Sequence, residues 1–393
     1  MKNFPMKRDP SGKTAVSETK VRIFHVCQNF YPVWGGIESF VYESSKELIK
    51  KGYDVTVIAS DRMPTTGART GKRLPARERI DGIKVFRFPF KRFSRYSTSV
   101  EALKFILSSD FDILHIHGIG FFSDAIPLVK FRADKKVVLS THGGIFHTQA
   151  MMSIKNIYFK TMVKIAGKFA DRIIAVSEQD RKFMEKITDK KKIVVIRNGV
   201  DWKSLSKIER SGNGRTLLYV GRIAANKKIE RILHMVQDLK GTLPNVFLYV
   251  VGEDWGELNE LKLLTKRLDI AKNVKFTGSI SKGRLRKIFS KSDMFLLASD
   301  YEGFGISVIE AMSAGIPVVV NDIDSMKEIV KNGINGFRVN FKNHAETSRI
   351  IAKALRNKKT MLKVGNSARN YAKFFDWSRV IQDLERVYGE LIV

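Results

Sequence analysis

Short apolar runs alternate with longer amphipathic stretches along almost the whole chain, and that rhythm limits the possible folds more than any single residue does. A short run bounded by turn residues reads as a strand. An amphipathic stretch between two such runs reads as a helical crossover, so the repeat implies parallel sheets covered by helices. In the first half strands are expected at residues 21–27, 53–60, 83–88, 112–117, 136–141, 172–176 and 192–197, with helices such as 38–50 and 151–169 between them. In the second half they are expected at 216–220, 246–251, 274–277, 294–298, 317–320 and 337–339. No short-period repeat or low-complexity tract interrupts this order.

A chain of 393 residues is too long for one ordinary core. The clearest break lies at residues 198–214, where Asn198-Gly199-Val200-Asp201 ends a strand and Ser211-Gly212-Asn213-Gly214 follows. The expected organisation is a disordered segment at 1–20, one Rossmann-like domain at 21–200 and a second at 201–376. An amphipathic helix at 377–393 crosses back towards the first domain. Two doubly wound domains of this α/β class would face each other across a cleft. Ligands of such sheets sit at the carboxyl ends of the strands, so the cleft is the expected site.

Composition narrows the class. Hydrophobic residues make up 44% and charged residues 28%, without long single-sign blocks, which describes a globular chain. The single cysteine, Cys27, excludes an internal disulfide framework, fits a reducing and hence cytoplasmic setting, and lies in a strand-like run where a core thiol is expected. The first 20 residues lack the apolar stretch of a signal peptide, and no later run reaches bilayer-spanning length. The formal net charge is +30, spread over both halves and heavier in the first. Nucleic acid, an anionic membrane or a phosphorylated substrate would each suit that charge.

The densest chemistry lies in Tyr301-Glu302-Gly303-Phe304-Gly305-Ile306-Ser307-Val308-Ile309-Glu310-Ala311-Met312. It follows an apolar strand and opens a helix. Two glycines let the backbone approach a ligand, and new helical amides suit phosphate. The plainer reading is a glycine turn before an acidic helix. A hydrolytic pair fits poorly: helical spacing puts the two carboxylate-bearing Cα atoms ~12 Å apart, against the ~5–9.5 Å that glycosidase carboxyls need. Two binders of ligand hydroxyls fit better.

Glu302 to Glu310 resembles the E-x7-E motif of retaining glycosyltransferases of the GT-B fold, closest to glycosyltransferase family 4 (group 1). Ser313-Ala314-Gly315-Ile316-Pro317-Val318-Val319, Glu328-Ile329-Val330 and Asn332-Gly333-Ile334-Asn335-Gly336 continue that pattern in order. The resemblance implies that the second domain binds a nucleotide sugar and the first an acceptor. Glu302 would hold hydroxyls of the donor sugar and Glu310 those of the ribose. The backbone from Phe304 through Gly305, Ile306, Ser307 and Val308 would face the diphosphate or sugar. Arg222, after the first strand of the second domain, and Lys227, with Lys228 the lesser candidate, would grip the diphosphate. Cations at a helix start are disfavoured by the macrodipole unless an anion lies between them.

In the first domain Trp34-Gly35-Gly36 precedes a helix with Glu38 in its first turn. The resemblance places the glycines under the donor phosphates. His115 and His117 end the fourth strand and point to one side, while Thr141-His142-Gly143-Gly144 ends the fifth, with His147 beyond. By resemblance His117 would lie near the anomeric carbon, and His142 would be a weaker acceptor-site residue. No acidic or cysteine partner has ligand spacing nearby, so no metal is expected at these histidines. Asp110-Phe111-Asp112 and Asp322-Ile323-Asp324 match a metal-binding Asp-x-Asp pattern by chance frequency. Two segments depart from the family: Asp324-Ser325 where Gly-Gly is common, and Val251-Gly252-Glu253-Asp254-Trp255 where Gly-x-Gly is.

Residues 151–170 carry Lys155, Lys160, Lys164 and Lys168 and no acid, interleaved with apolar side chains. The plainer reading is a core-facing helix with a solvated edge. The functional one is a helix lying on an anionic bilayer, with cationic loops at 69–79 and 91–95 beside it. The sequence therefore predicts a metal-independent retaining hexosyltransferase without a cofactor, peripheral on the inner face of a membrane. It would use a nucleoside-diphosphate sugar and a lipid-linked or glycan acceptor. A GT-B epimerase or phosphorylase is the first alternative. A basic nucleic-acid binder is the lower one, since no nucleic-acid module is recognisable.

Overall fold

The computed structural model describes residues 20–33, 35–63, 71–93, 96–133, 135–143 and 156–392. The expectations for 1–19, Trp34, Arg69, Arg95, Gly144, His147 and Lys155 lie outside those residues. Ten strands come first: β1 (Arg22–Val26), β2 (Asp54–Ser60), β3 (Arg77–Ile80), β4 (Ile83–Phe88), β5 (Lys91–Phe93), β6 (Tyr96–Thr98), β7 (Ile113–His117), β8 (Lys136–Ser140), β9 (Arg172–Ala175) and β10 (Ile193–Val195). Eight of them form a sheet in the order β10-β9-β8-β7-β1-β2-β4-β3, while β5 and β6 pair as a separate hairpin. Every pairing in the large sheet is parallel except β3 with β4.

The second sheet contains β11 (Thr216–Val220), β12 (Phe247–Val251), β13 (Val274–Gly278), β14 (Met294–Leu297), β15 (Val318–Asn321) and β16 (Phe337–Val339). Its order is β13-β12-β11-β14-β15-β16, all parallel. Strands such as β14 and β15 are buried at every position, because helices cover both faces and the sequence is apolar throughout. Both sheets are doubly wound. The order reverses at β1/β7 in the first and at β11/β14 in the second, and each reversal opens a crevice at the carboxyl ends.

The helix Trp377–Ile392 returns to the first sheet. Its Val380, Ile381, Leu384, Val387, Tyr388 and Leu391 join Ile23, Ile113, Val138 and Ile174 in one core cluster. Lys51–Glu385 (2.6 Å) and Arg172–Glu390 (3.1 Å) flank that seam.

Three strands, β3, β5 and β6, were not expected from the sequence. The first of them, Arg-Glu-Arg-Ile, is too charged to read as a strand. It forms an edge whose Glu78 pairs with the buried guanidinium of Arg87 on β4, which also donates to the Tyr31 carbonyl at 2.6 Å. The expected single helix at 151–169 is also modified, since a π-helical turn at Phe159–Val163 precedes the α-helix Lys164–Phe169.

Candidate active site

The second sheet's reversal point brings together the loops after β11 and β14. Gly221 follows β11 and leads directly into Arg222. The Tyr219 hydroxyl donates to the Arg222 carbonyl at 2.9 Å and fixes the turn. Gly252 (φ 151°) must lack a side chain, because a Cβ there would collide with the Gly221 carbonyl. The Arg222 guanidinium is exposed and has no carboxylate partner among the described residues. A 3-10 turn, Ala225–Lys227, then delivers Lys227, and Lys228 (φ 55°) starts the helix Ile229–Lys240.

Lys227 Nζ lies 2.6 Å from Glu302 Oε1, with both side chains nearly buried. The Ser299 hydroxyl donates to the same oxygen at 2.9 Å. Lys228 turns outward towards Glu230 at 3.8 Å. Arg231 braces the end of β14 with two contacts to Asp300, at 2.5 and 2.9 Å. Gly305 (φ 85°) then turns the chain into the helix Ile306–Ser313. Among the described residues the amides of Ile306 and Ser307 donate to no carbonyl, so they are available to an anion. Burial pushes the pKa of Glu310, further along that helix, up to about 7, with Lys282 partly offsetting the shift.

Two expected donor contacts change here. Val308 is fully buried in the core and its amide already donates to the Gly305 carbonyl at 3.0 Å, so it offers the cleft nothing. The Phe304 ring packs inward on Phe375, 5.6 Å between centroids, leaving only its backbone near the turn.

The first sheet supplies the opposite wall. Gly35 caps the helix Gly36–Lys50, and Glu38 folds its carboxylate back over Gly35, where any Cβ would clash with it. Burial raises the Glu38 pKa, while a bond to its own amide, Asn29 and Arg222 across the cleft act against that shift. Gly36 faces Ile306, whose Cδ1 would lie 3.5 Å from a Cβ at Gly36, so the two glycine turns meet. Domain contacts hold the cleft together: the Tyr301 hydroxyl donates to the Gly143 carbonyl at 2.6 Å, and the Glu328 carboxylate accepts from the amides of Glu178 (3.0 Å) and Gln179 (2.9 Å).

Behind the glycine loop the histidines form a chain. His142 Nε2 meets His117 Nδ1 at 3.0 Å, and His117 Nε2 meets His25 Nδ1 at 2.8 Å. His115 is held by the Tyr388 hydroxyl (2.6 Å) and the Ser140 hydroxyl (2.7 Å). Desolvation lowers all four pKa values, to about 3 for His25 and about 4 for His142. The four rings are therefore neutral at physiological pH. Sequence reasoning missed His25, although the β1/β7 register sets it beside His115 and the two-residue period puts His117 on the same face.

His25, His115 and His117 lie close enough to share a metal ion. Yet every nitrogen but His25 Nε2 already has a protein partner, and among the described residues no carboxylate joins the group to balance a divalent charge. The two Asp-x-Asp matches are spent on ion pairs. Asp110 and Asp112 hold Arg22 at the amino end of the first sheet, away from the cleft, while Asp322 faces Arg338 at 3.6 Å and Asp324 faces Lys327 at 3.1 Å.

Comparison with known proteins agrees with this fold. The model of glycosyl transferases group 1 matches residues 200–371, and that of glycosyltransferase family 4 matches residues 34–203. The GDP-mannose:cellobiosyl-diphosphopolyprenol alpha-mannosyltransferase of Xanthomonas oryzae is 30% identical over 92% of this chain and 94% of its own. The phosphatidyl-myo-inositol mannosyltransferase of Mycolicibacterium smegmatis is 27% identical over 94% and 93%. Among solved structures, sucrose-phosphate synthase from Thermosynechococcus elongatus superposes with a TM-score of 0.78 at 17% identity over 95% of this chain and 99% of its own. Anabaena HepE in complex with UDP and glucose superposes at 0.74 and 19%, over 94% and 100%. The two doubly wound sheets, the paired reversal points and these relatives make the chain a GT-B-fold member of the group 1, family 4 glycosyltransferases.

Proposed function

We propose that this glycosyltransferase moves a mannosyl or closely related hexosyl unit from a nucleoside-diphosphate sugar to a hydroxyl of a lipid-linked glycan acceptor. The anomeric configuration is kept and no divalent metal is needed. The observation that carries the reading is the pairing at the second reversal point. An unpaired Arg222, the Lys227–Glu302 pair and the free amides of Ile306 and Ser307 converge there, opposite a neutral wall of histidines. The cations would take the charge that develops on the leaving diphosphate, the role a metal fills elsewhere. Glu302 would hold donor-sugar hydroxyls and Glu310 the ribose diol.

The bond from the acceptor oxygen to the anomeric carbon forms on the face from which the phosphate oxygen leaves, and the acceptor proton passes to that phosphate. His117 would orient the donor sugar, and His142 the acceptor beside it. The names of the Xanthomonas and Mycolicibacterium relatives favour GDP-mannose and a lipid-borne acceptor.

A surface on the first domain suits such an acceptor. Ile157, Met162, Ile165 and Phe169 are exposed beside Leu128 and Phe131, which is 86% exposed, and Lys160, Lys164, Lys168 and Arg132 stand among them. Among the described residues no helix is long and apolar enough to cross a membrane. This patch would instead rest on an anionic leaflet, each nearby cation contributing ~1 kcal/mol.

The test is transfer from GDP-mannose, UDP-glucose and other nucleotide sugars, with excess chelator present and the product anomer read by NMR. Retained configuration and full activity with chelator are expected. An inverted product, or activity restored only by a divalent metal, overturns the mechanism.

A further inference from the structure

The Arg222 guanidinium lies over the ring of Trp255, with its carbon 4.5 Å from the ring centroid. Trp255 ends the segment Val251–Trp255, which departs from the family's Gly-x-Gly pattern, and 44% of it remains exposed. Its place is set by backbone. Ile223 donates to the Glu253 carbonyl at 2.8 Å and Trp255 donates to the Ile223 carbonyl at 2.9 Å, so the loop after β12 is zipped to the loop that carries Arg222. Its ring orientation is set by a side chain: the indole N–H reaches Glu253 Oε2 at 3.2 Å.

An exposed arginine samples many rotamers, and ordering it on a ligand costs side-chain entropy. A carboxylate could order it, as Asp300 orders Arg231, but would neutralise its charge and occupy its N–H groups. An aromatic face does neither. Stacking engages the π surface of the guanidinium and leaves its N–H edge facing outwards for a planar fork of acceptors.

We propose that Trp255 is a positioning residue that holds Arg222 extended and fully charged for the donor's diphosphate. The inference rests on the assignment of Arg222 to that diphosphate. Trp255 acts through Arg222 and not on the nucleobase, so its contribution appears only when a second phosphate is present.

The experiment is calorimetric titration of the full chain with whichever of GDP, UDP and ADP binds best, and with the corresponding monophosphate. It compares wild type with W255A, W255F, R222A and the W255A/R222A double variant. W255A is expected to weaken diphosphate binding about fivefold to tenfold, the range of a partly exposed cation–π contact, while monophosphate binding changes little. W255F should recover most of the loss, and W255A should add almost nothing in the R222A background.

Equal losses for mono- and diphosphate would make Trp255 a base platform and overturn the proposal, as would full additivity in the double variant. A weakened R222A beside an unaffected W255A overturns this inference alone. An R222A enzyme that binds as tightly as wild type overturns the diphosphate assignment and this inference with it.

Discussion

The two walls of the cleft are built at equivalent places in two similar sheets, yet their electrostatics are opposite. The wall from β11 and β14 is ionic: its loops carry Arg222 and the Lys227–Glu302 pair, and the helix that follows Glu302 opens with the amides of Ile306 and Ser307, which donate to no carbonyl among the described residues. The wall from β1, β7 and β8 carries three buried histidines and the half-buried His142, all kept neutral by desolvation. The same topology thus provides one surface suited to a diphosphate and another suited to uncharged hydroxyls. In the proposed reading, a sugar lying between them would have its leaving group on the charged side and its ring against the neutral side.

The contrast predicts unequal losses. K227A, E302A or R222A should lower kcat/KM about a hundredfold to a thousandfold, the scale seen when one stabiliser of transition-state charge is removed. H117A should cost about tenfold, the worth of a neutral hydrogen bond. Steady-state rates with saturating acceptor decide this. A loss in H117A as deep as in the three ionic variants would end the division of labour. Lys227 and Glu302 also share an ion pair at 2.6 Å, so K227A/E302A should lose far less than the two single losses combined.

The same two walls differed in how readily the sequence disclosed them. The ionic wall rests on contiguous motifs, because a loop that binds phosphate through its own backbone needs glycines at fixed offsets. Those offsets predicted Gly305 and the helix behind it, though not that Val308 would turn into the core. The neutral wall is assembled from side chains far apart in sequence. His25, His117 and His142 meet only because β7 pairs β1 on one side and β8 on the other, and no local spacing announces that order. The strand rhythm was legible wherever both faces are buried. It failed at β3, a charged edge whose partner Arg87 lies in the neighbouring strand.

Acid should expose the neutral wall first. His25 and His142 have folded-state pKa values of about 3 and about 4, below the ordinary histidine value, so the unfolded chain takes up protons before the folded one does. The stability they contribute is complete above about pH 6.5 and is lost as pH falls from there towards 4, by about 1.4 kcal/mol per pH unit for each histidine kept neutral. Hydrogen exchange at pH 7.5 and 5.5 should show protection falling most in β1, β7 and β8. A loss concentrated in β11, β14 and β15 would contradict the assignment.

Glu310 gives the smallest effect and the sharpest sign. Its carboxyl, pushed up to about 7, is ionised only above that pH, and a ribose diol needs an ionised acceptor for both hydroxyls. Donor affinity should therefore fall about fivefold to tenfold between pH 8 and pH 6, where roughly a tenth of the groups remains charged. E310Q should flatten that profile. Stability runs the other way: a carboxyl whose folded pKa is raised contributes stability below its ordinary value, and that contribution is lost as pH rises through about 7. At pH 8, then, E310Q should bind donor more weakly than wild type and melt at a higher temperature. Calorimetric titration and thermal melting at pH 6 and 8 read both, and a lower Tm for E310Q at pH 8 would show that the buried charge is compensated by the fold and not reserved for a ligand.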